Sequence, residues 1–293
     1  MTMHNRHSIG GSTAPAIVGV SPYMTRLDAY FAIVEGRQPK QSEPMYWGSK
    51  LEPLIRERYE AETGYKVEYN KDPDKLGIEV VHQNHEFITG SLDGVVSNSG
   101  IFEAKTARDR SAWEDGVPEI YQVQVQHYMG ITGRLVTDVA VLFGASDFEI
   151  FEVKRDNEII DNLFALEVAF WKKHVIPCVP PEPETYSDVN LRWRTSTAKA
   201  VEADEWITQL YKELTHERHI MGDTARRIEG LEMSIKKYME DSDTLIVDGK
   251  KAVTWKQAKP SMSFDKGRLK ADDPEMFNRY MVERPGSRRF LVK

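Results

Sequence analysis

The chain has 293 residues, of which 40% are hydrophobic and 29% charged, with a formal net charge of −7 and a single cysteine, Cys178. That composition excludes a disordered polypeptide, a membrane-spanning helix, an intramolecular disulfide and any zinc or iron–sulfur centre built on cysteines of this chain alone. The acidic balance argues against a nucleic-acid partner over the whole surface and leaves room for one only at a local basic groove.

The N-terminal MTMHNRHSIGG has no apolar run of the kind a signal peptide needs, so the expectation is a cytoplasmic protein. Residues 12–63 read as mainly helical: Ser12 caps a short helix through Ile17 and Val18, and Pro22 ends that region. A second helix is expected over Leu27–Glu35, closed by Gly36, and a third over Ser49–Thr63, with Gly64 as its stop. Strands follow at Lys66–Tyr69, Glu79–His82, Phe87–Asp93 and Ile101–Thr106. Pro118–Thr132 reads as a helix with proline in its first turn, and Val136–Phe143 with Phe148–Lys154 as a hairpin. Asp156 then caps a helix that ends near His174. No GxxxxGK[ST] segment is present, so ATP-driven chemistry is not expected.

Four prolines within Pro177–Pro183 mark a boundary, dividing the chain into a domain over 1–176, a linker over 177–200 and a C-terminal helical and small α+β region over 201–293. In that last region Glu202–Glu240 reads as one long helix. Ile207, Leu214, Met221, Ile228 and Ile235 recur every seven residues, with Leu210, Leu231 and Tyr238 at the second seam position. Glu217 and Thr224 interrupt the seam, and Gly222 and Gly230 weaken the helix; a helical hairpin and an oligomer seam both fit. A hairpin at Asp248-Gly249, a short helix near Pro274–Tyr280 and a basic end at Arg288-Arg289 complete the chain.

The stretch GSLDGVVSNSGIFEAKTA, residues 90–107, places charge where a strand would pack better with Val, Ile or Phe. Side chains alternate along a strand, so Ile101, Glu103 and Lys105 share one face, and Thr89, Ser91 and Asp93 share another. If the two strands pair, two carboxylates and an ammonium converge, an expensive burial unless a ligand accompanies it. Two readings stand on these residues alone: a hard oxygen site for Mg²⁺ or Mn²⁺, or an ordinary cross-strand ion pair on a solvated face. Gln124 falls on a helical stripe with Tyr121, Tyr128 and Ile131, where a lone amide needs a partner; Glu52 is spaced to pair with Arg56 one turn on. The Lys105–Arg110 run and Trp113 are weaker candidates for DNA contacts, and His82, His85, His127, His216 and His219 fit surface or core roles better than zinc ligation.

Taken in order, RHSIGGS at 6–12, VGVSPY at 18–23, WGSKLEP at 47–53, GSLDG at 90–94, FEAKTA at 102–107 and YQVQVQHYMGITG at 121–133 resemble the YqaJ-type viral recombinase and lambda-exonuclease branch of the PD-(D/E)xK nuclease superfamily. The resemblance covers residues 6 to about 175; each motif is weak alone and the ordered set is specific. It implies an α/β, restriction-endonuclease-like core, with a central mixed sheet of about five strands flanked by helices. It implies Mg²⁺, with Mn²⁺ as a substitute, held by Asp93, Glu103 and the Ala104 carbonyl. Lys105 matches the catalytic lysine, Glu52 the carboxylate that orients water or a second metal, and Gln124 the amide that positions the water or the lysine. Arg6 and Ser12 match phosphate contacts, with Ser91 beside them. Leu92 stands where many relatives carry proline. The implied activity is digestion of one strand of linear duplex DNA 5′→3′ to leave 3′ single-stranded tails for recombination. It would be a phage or prophage protein acting in the host bacterial cytoplasm, on double-stranded DNA ends, as a ring-shaped homotrimer working with a single-strand annealing protein. A DNA endonuclease on the same fold and a non-catalytic DNA-end-binding protein are the alternatives.

Overall fold

The computed structural model describes residues 8–37, 41–72, 77–144, 146–284 and 286–292. The helices begin where local chemistry satisfies their first N–H groups. In α1 (Ala14–Val18) this is not done by Ser12, which is exposed; Thr13 holds the turn by accepting the Gly10 N–H at 2.9 Å. That helix stops at Gly19, whose φ of 87° is the left-handed value glycine takes most easily, and so ends before Pro22. Thr25 opens α2 (Arg26–Glu35) with a reciprocal cap: its hydroxyl accepts the Asp28 N–H at 3.1 Å and Asp28 accepts the Thr25 N–H at 3.1 Å. α3 (Glu43–Thr63) starts earlier than the expected Ser49, because Ser42 caps it and Pro44 suits its first turn.

A five-stranded sheet runs in the order β1 (Val67–Glu68), β4 (Gly94–Val96), β5 (Ile101–Ala107), β6 (Val136–Phe143), β7 (Asp147–Lys154). β5 and β6 are parallel, joined through α4 (Glu119–Thr132), and the other neighbours are antiparallel, so the sheet is mixed and flanked by helices as expected. The expected pairing of 87–93 with 101–106 does not occur. Instead β2 (Ile78–His82) and β3 (His85–Leu92) form their own ribbon, with Ser91 opposite Glu79. The chain leaves the ribbon at Leu92, turns at Asp93, and re-enters the main sheet with Gly94 opposite Phe102. The glycine is required there: a Cβ on Gly94 would lie 2.3 Å from Val67 Cγ1 of β1.

Alternation along β5 builds a core on each face. Phe102 packs with Ile55 and Tyr59 of α3, while Ile101 packs with Val125, Tyr128 and Met129 of α4. Beyond α4 lies a third cluster from Ile9, α1, α2 and α5 (Asn157–Phe170), which Asp156 caps by accepting the Glu158 and Ile159 N–H groups. This first unit runs on to Arg192, past the boundary expected at residue 176. The reason is α6 (Tyr186–Arg192), where buried Asp188 accepts the Glu184 and Thr185 N–H groups and the Thr25 hydroxyl at 2.8 Å, tying it to α2.

The second unit begins at Trp193. It contains α7 (Glu205–Met239), capped by Asp204, then the hairpin of β8 (Thr244–Val247) and β9 (Lys250–Thr254), and the short α8 (Lys266–Asp272) and α9 (Pro274–Arg279). Asp248 and Gly249 turn the hairpin with φ of 52° and 73°, the paired left-handed values of a two-residue loop. Among the described residues no helix is long and apolar enough to cross a membrane.

Candidate active site

Glu103 and Lys105 project from β5 toward α4, and Asp93 reaches them from the turn between β3 and β4. Lys105 Nζ donates to Glu103 Oε1 at 2.6 Å, and Asp93 Oδ2 accepts the Ala104 N–H at 2.8 Å. An extended residue projects its N–H and C=O from the same edge, so the Ala104 carbonyl also faces the Asp93 side of β5. The carboxylates and the ammonium therefore meet, but through a chain turn at Asp93 rather than through two long paired strands. Glu103 is 2% exposed and Lys105 17%.

Burial and the neighbouring Asp93 charge push the Glu103 carboxyl up to about 7. Asp93 is raised as well, chiefly by its burial, against the pull of Lys105. For Lys105 burial opposes the charge, yet the Glu103 and Asp93 carboxylates outweigh it and hold the amine above its ordinary value, as an ammonium. Glu52 joins the cluster from α3. Burial and Asp93 raise its carboxyl to about 7, while Arg56, 3.9 Å away, and Lys105 pull against them. The Arg56 pair expected as the plain alternative thus exists, and Glu52 feels the cluster all the same.

α4 covers the site with a stripe of three side chains. Tyr121 lies beneath Lys105, whose Nζ is 4.9 Å from the ring centroid; Tyr128 is buried, and its hydroxyl is pushed upward by burial and by Glu103. Gln124 stands between them and finds the partner its amide needs by donating to the Tyr128 hydroxyl at 3.1 Å. Tyr128 fits only because of two glycines: a Cβ on Gly11 would come within 2.5 Å of its ring and hydroxyl, and one on Gly90 within 2.9 Å of its ring. Gly11→Ala is therefore expected to displace Tyr128 and, with it, Gln124. Overpacking of this kind costs about 1–3 kcal/mol, read as a fall of several degrees in the melting temperature; an unchanged melting temperature would contradict this seating of Tyr128.

The same segment carries Ser12, exposed in the turn beside Gly11. It is anchored to β3 through Ile9, whose N–H donates to the Phe87 carbonyl at 2.7 Å and whose carbonyl accepts the Thr89 N–H at 2.8 Å. Arg6 lies outside the described residues. Ser91 has Glu79 and Gly77 of the ribbon as its neighbours, so the break at Asp93 separates it from the face it was expected to share. Trp113 is a buried core residue, stacked on Tyr121 and packed against Phe143 and Phe151. Arg110 of the basic run is taken by Asp147 at 2.6 Å and by Glu149. His127 is fully buried, with Nδ1 2.8 Å from Glu167 and Nε2 2.8 Å from the Thr89 carbonyl, and joins α4 to α5 and β3. Buried Gln126 likewise donates to the Lys154 carbonyl and accepts the Asp156 N–H, so the second glutamine of the QVQ motif is structural.

The donor set suits a hard divalent cation. Glu103 Oε2 is buried and has no hydrogen-bond partner among the described residues, an acceptor that a cation would satisfy. Two close carboxylates, raised in pKa by burial, would be relieved by the same charge. Among the described residues no group of three or more His, Cys, Asp and Glu side chains is placed to hold a metal ion. Two carboxylates and a carbonyl match the sparse protein ligation typical of Mg²⁺.

Residues 3–135 match the sequence model of the YqaJ-like viral recombinase domain. Over 305 aligned positions the chain is 29% identical to Uncharacterized protein YqaJ of Bacillus subtilis (strain 168), covering 99% of this chain and 92% of that one. Among solved structures, an alkaline exonuclease from Laribacter hongkongensis is 21% identical, with a TM-score of 0.47 over 58% of this chain and 88% of its own. A phage-related exonuclease from Haemophilus somnus 129PT is 16% identical, with a TM-score of 0.43 over 58% of this chain and 96% of its own.

Proposed function

We propose, for a chain whose residues 3–135 match the sequence model of the YqaJ-like viral recombinase domain, that it is a Mg²⁺-dependent exonuclease of duplex DNA. It degrades one strand 5′→3′ from an end, releases 5′-phosphates and leaves 3′ single-stranded tails. The observation that carries this reading is the convergence of Asp93, Glu103 and Lys105, with one carboxylate oxygen unpartnered and the Ala104 carbonyl on the same strand edge.

Asp93, Glu103 and the Ala104 carbonyl would hold the cation. A bound Mg²⁺ supplies Lewis-acid polarisation of the scissile phosphate and acidifies the attacking water. Lys105, kept as an ammonium by its carboxylate neighbours, acts as a donor and positive charge toward the phosphate oxygens rather than as a base. Glu52, held near 7, is matched to exchanging a proton with that water at neutral pH. Gln124, oriented by Tyr128, presents the rest of its amide to the same space.

The test is digestion of linear duplex labelled at either the 5′ or the 3′ end, with 5′-phosphate or 5′-hydroxyl, beside a closed circle, with Mg²⁺ or Mn²⁺. Progressive loss from the 5′ end of the linear DNA, with the circle intact, is the expected result. Rapid circle nicking would make the enzyme an endonuclease, and no cleavage with either metal would leave DNA-end binding as the activity.

A further inference from the structure

We propose that residues 250–270 form a second nucleic-acid contact, outside the nuclease site, that takes single-stranded DNA. The stretch reads KKAVTWKQAKPSMSFDKGRLK and holds seven lysines and arginines against one carboxylate, Asp265. The whole chain stands at −7, so everything outside this stretch is acidic by thirteen charges. A local reversal of sign on that scale marks a surface made for an anionic partner.

The cations lie on the surface and most are not neutralised by the chain itself. Every residue from 250 to 270 is exposed except half-buried Val253 and Leu269. Among the described residues Arg268 pairs with Asp272 at 3.2 Å, whereas Lys250, Lys251, Lys256, Lys259 and Lys266 form no ion pair. The carboxylate of Asp265 is engaged as a helix cap, accepting the Arg268 N–H at 2.9 Å. The basic run that ends at Arg110 is the contrast, because Asp147 and Glu149 hold its last arginine.

Backbone and ring placement select an unpaired strand. Lys250 and Lys251 follow the Asp248-Gly249 turn on β9, and residues 255–265, between β9 and α8, have no regular secondary structure. Trp255, 45% exposed, and Phe264, 72% exposed, bracket that segment, with Lys256 and Lys259 between them. A duplex hides its base faces in the stack, while an unpaired strand offers them to rings interleaved with cations. Trp255 leans on α7 beside Met233 and Lys237, so Phe264 is the freer of the two rings. An anionic membrane surface fits less well: α8 has 7 residues, and the stretch contains no long amphipathic helix to lie in the interface. Identifying the bound strand with a 3′ tail rests on the activity proposed above; the binding itself does not.

Fluorescence anisotropy of the full chain in EDTA tests the contact without cleavage, using a labelled oligonucleotide either single-stranded or annealed to its complement. Replacing Lys251, Lys256, Lys259 and Lys266 together by Ser should weaken single-strand binding at least about tenfold. The same variant should flatten the salt dependence by about 3 in log–log slope, at about 0.7 per phosphate neutralised. Phe264→Ala should weaken single-strand binding at least about fivefold while leaving the salt slope and duplex binding unchanged. Affinity and salt slope untouched by the lysine changes would overturn the contact. Equal losses for duplex and single strand, with Phe264→Ala silent, would overturn the choice of an unpaired strand. Lysine-dependent binding to phosphatidylserine vesicles, with none to the oligonucleotide, would overturn nucleic acid as the partner. Since no metal is present, a failure here is distinct from a failure of the nuclease activity, which the end-labelled digestion reads separately.

Discussion

Asp93→Asn is expected to lower metal-dependent cleavage by at least about 10²–10³-fold, the scale of losing one preorganised electrostatic group, and to leave the fold standing. The amide oxygen can still accept the Ala104 N–H that Asp93 now accepts at 2.8 Å, so the turn into β4 keeps its tie. One negative charge leaves a site crowded with them, and Lys105 keeps Glu103 as its partner at 2.6 Å. Lys105→Met should behave differently. It removes the cation from two buried carboxylates, and breaking a buried ion pair from one side costs about 3–5 kcal/mol, less wherever the stranded acids take up protons instead. Both variants should therefore cleave far more slowly, and only the lysine variant should be markedly destabilised without metal. Thermal melts with and without Mg²⁺ separate the two. In the unaltered chain, metal at a hundredfold excess over its dissociation constant adds about 2.7 kcal/mol, a rise on the order of 5–10 °C, and Asp93→Asn should lose most of it. Full cleavage by Asp93→Asn would remove Asp93 from the metal site.

Which parts of this site were legible in the residues follows from how local their causes are. Glu103 and Lys105 share a face because strands alternate, and the FEAKTA strand carries that information within a few residues. Helix limits at Gly36, Gly133 and Asp156 were equally local, each set by a cap or a left-handed glycine. Strand partners were not. Residues 87–92 alternate well enough to pair with either neighbour, and the choice of β2 over β5 depends on the turn at Asp93 and on Val67 filling the space next to Gly94. Ser12 looked like a cap because serine at a helix start commonly is one; Thr13, one residue later, holds the turn instead. The seating of Tyr128 is not legible locally, because its fit rests on Gly11 and Gly90, both distant in sequence. The buried His127–Glu167 pair joins residues on two helices, and no spacing rule connects them.

A difference in melting temperature that grows with pH is the second large effect expected, and its sign can be worked out. Glu103 is held at about 7 in the folded chain against 4.5 for an ordinary glutamate, so the folded state binds its proton more tightly than the unfolded state. Its contribution is fully present below about 4.5 and is lost as pH rises through 7, amounting to about 3 kcal/mol in all. Asp93 is raised too and adds to the same slope. Glu52, also near 7, is partly exposed, so water screens its share and it contributes less. The metal-free protein should therefore melt progressively lower from pH 5 to pH 8. A cation needs both carboxylates ionised, so the stabilisation by Mg²⁺ should run the other way, small at pH 6 and large at pH 8. His127, raised by Glu167 despite its burial, contributes a metal-independent slope of the same sign as Glu103, which makes the unaltered chain alone ambiguous. Glu103→Gln resolves it, because it leaves the His127 contribution in place. The variant should melt with a shallower pH dependence and show little response to Mg²⁺ at either end. If its profile instead overlays that of the unaltered chain, with and without metal, Glu103 neither titrates near neutrality nor holds the cation.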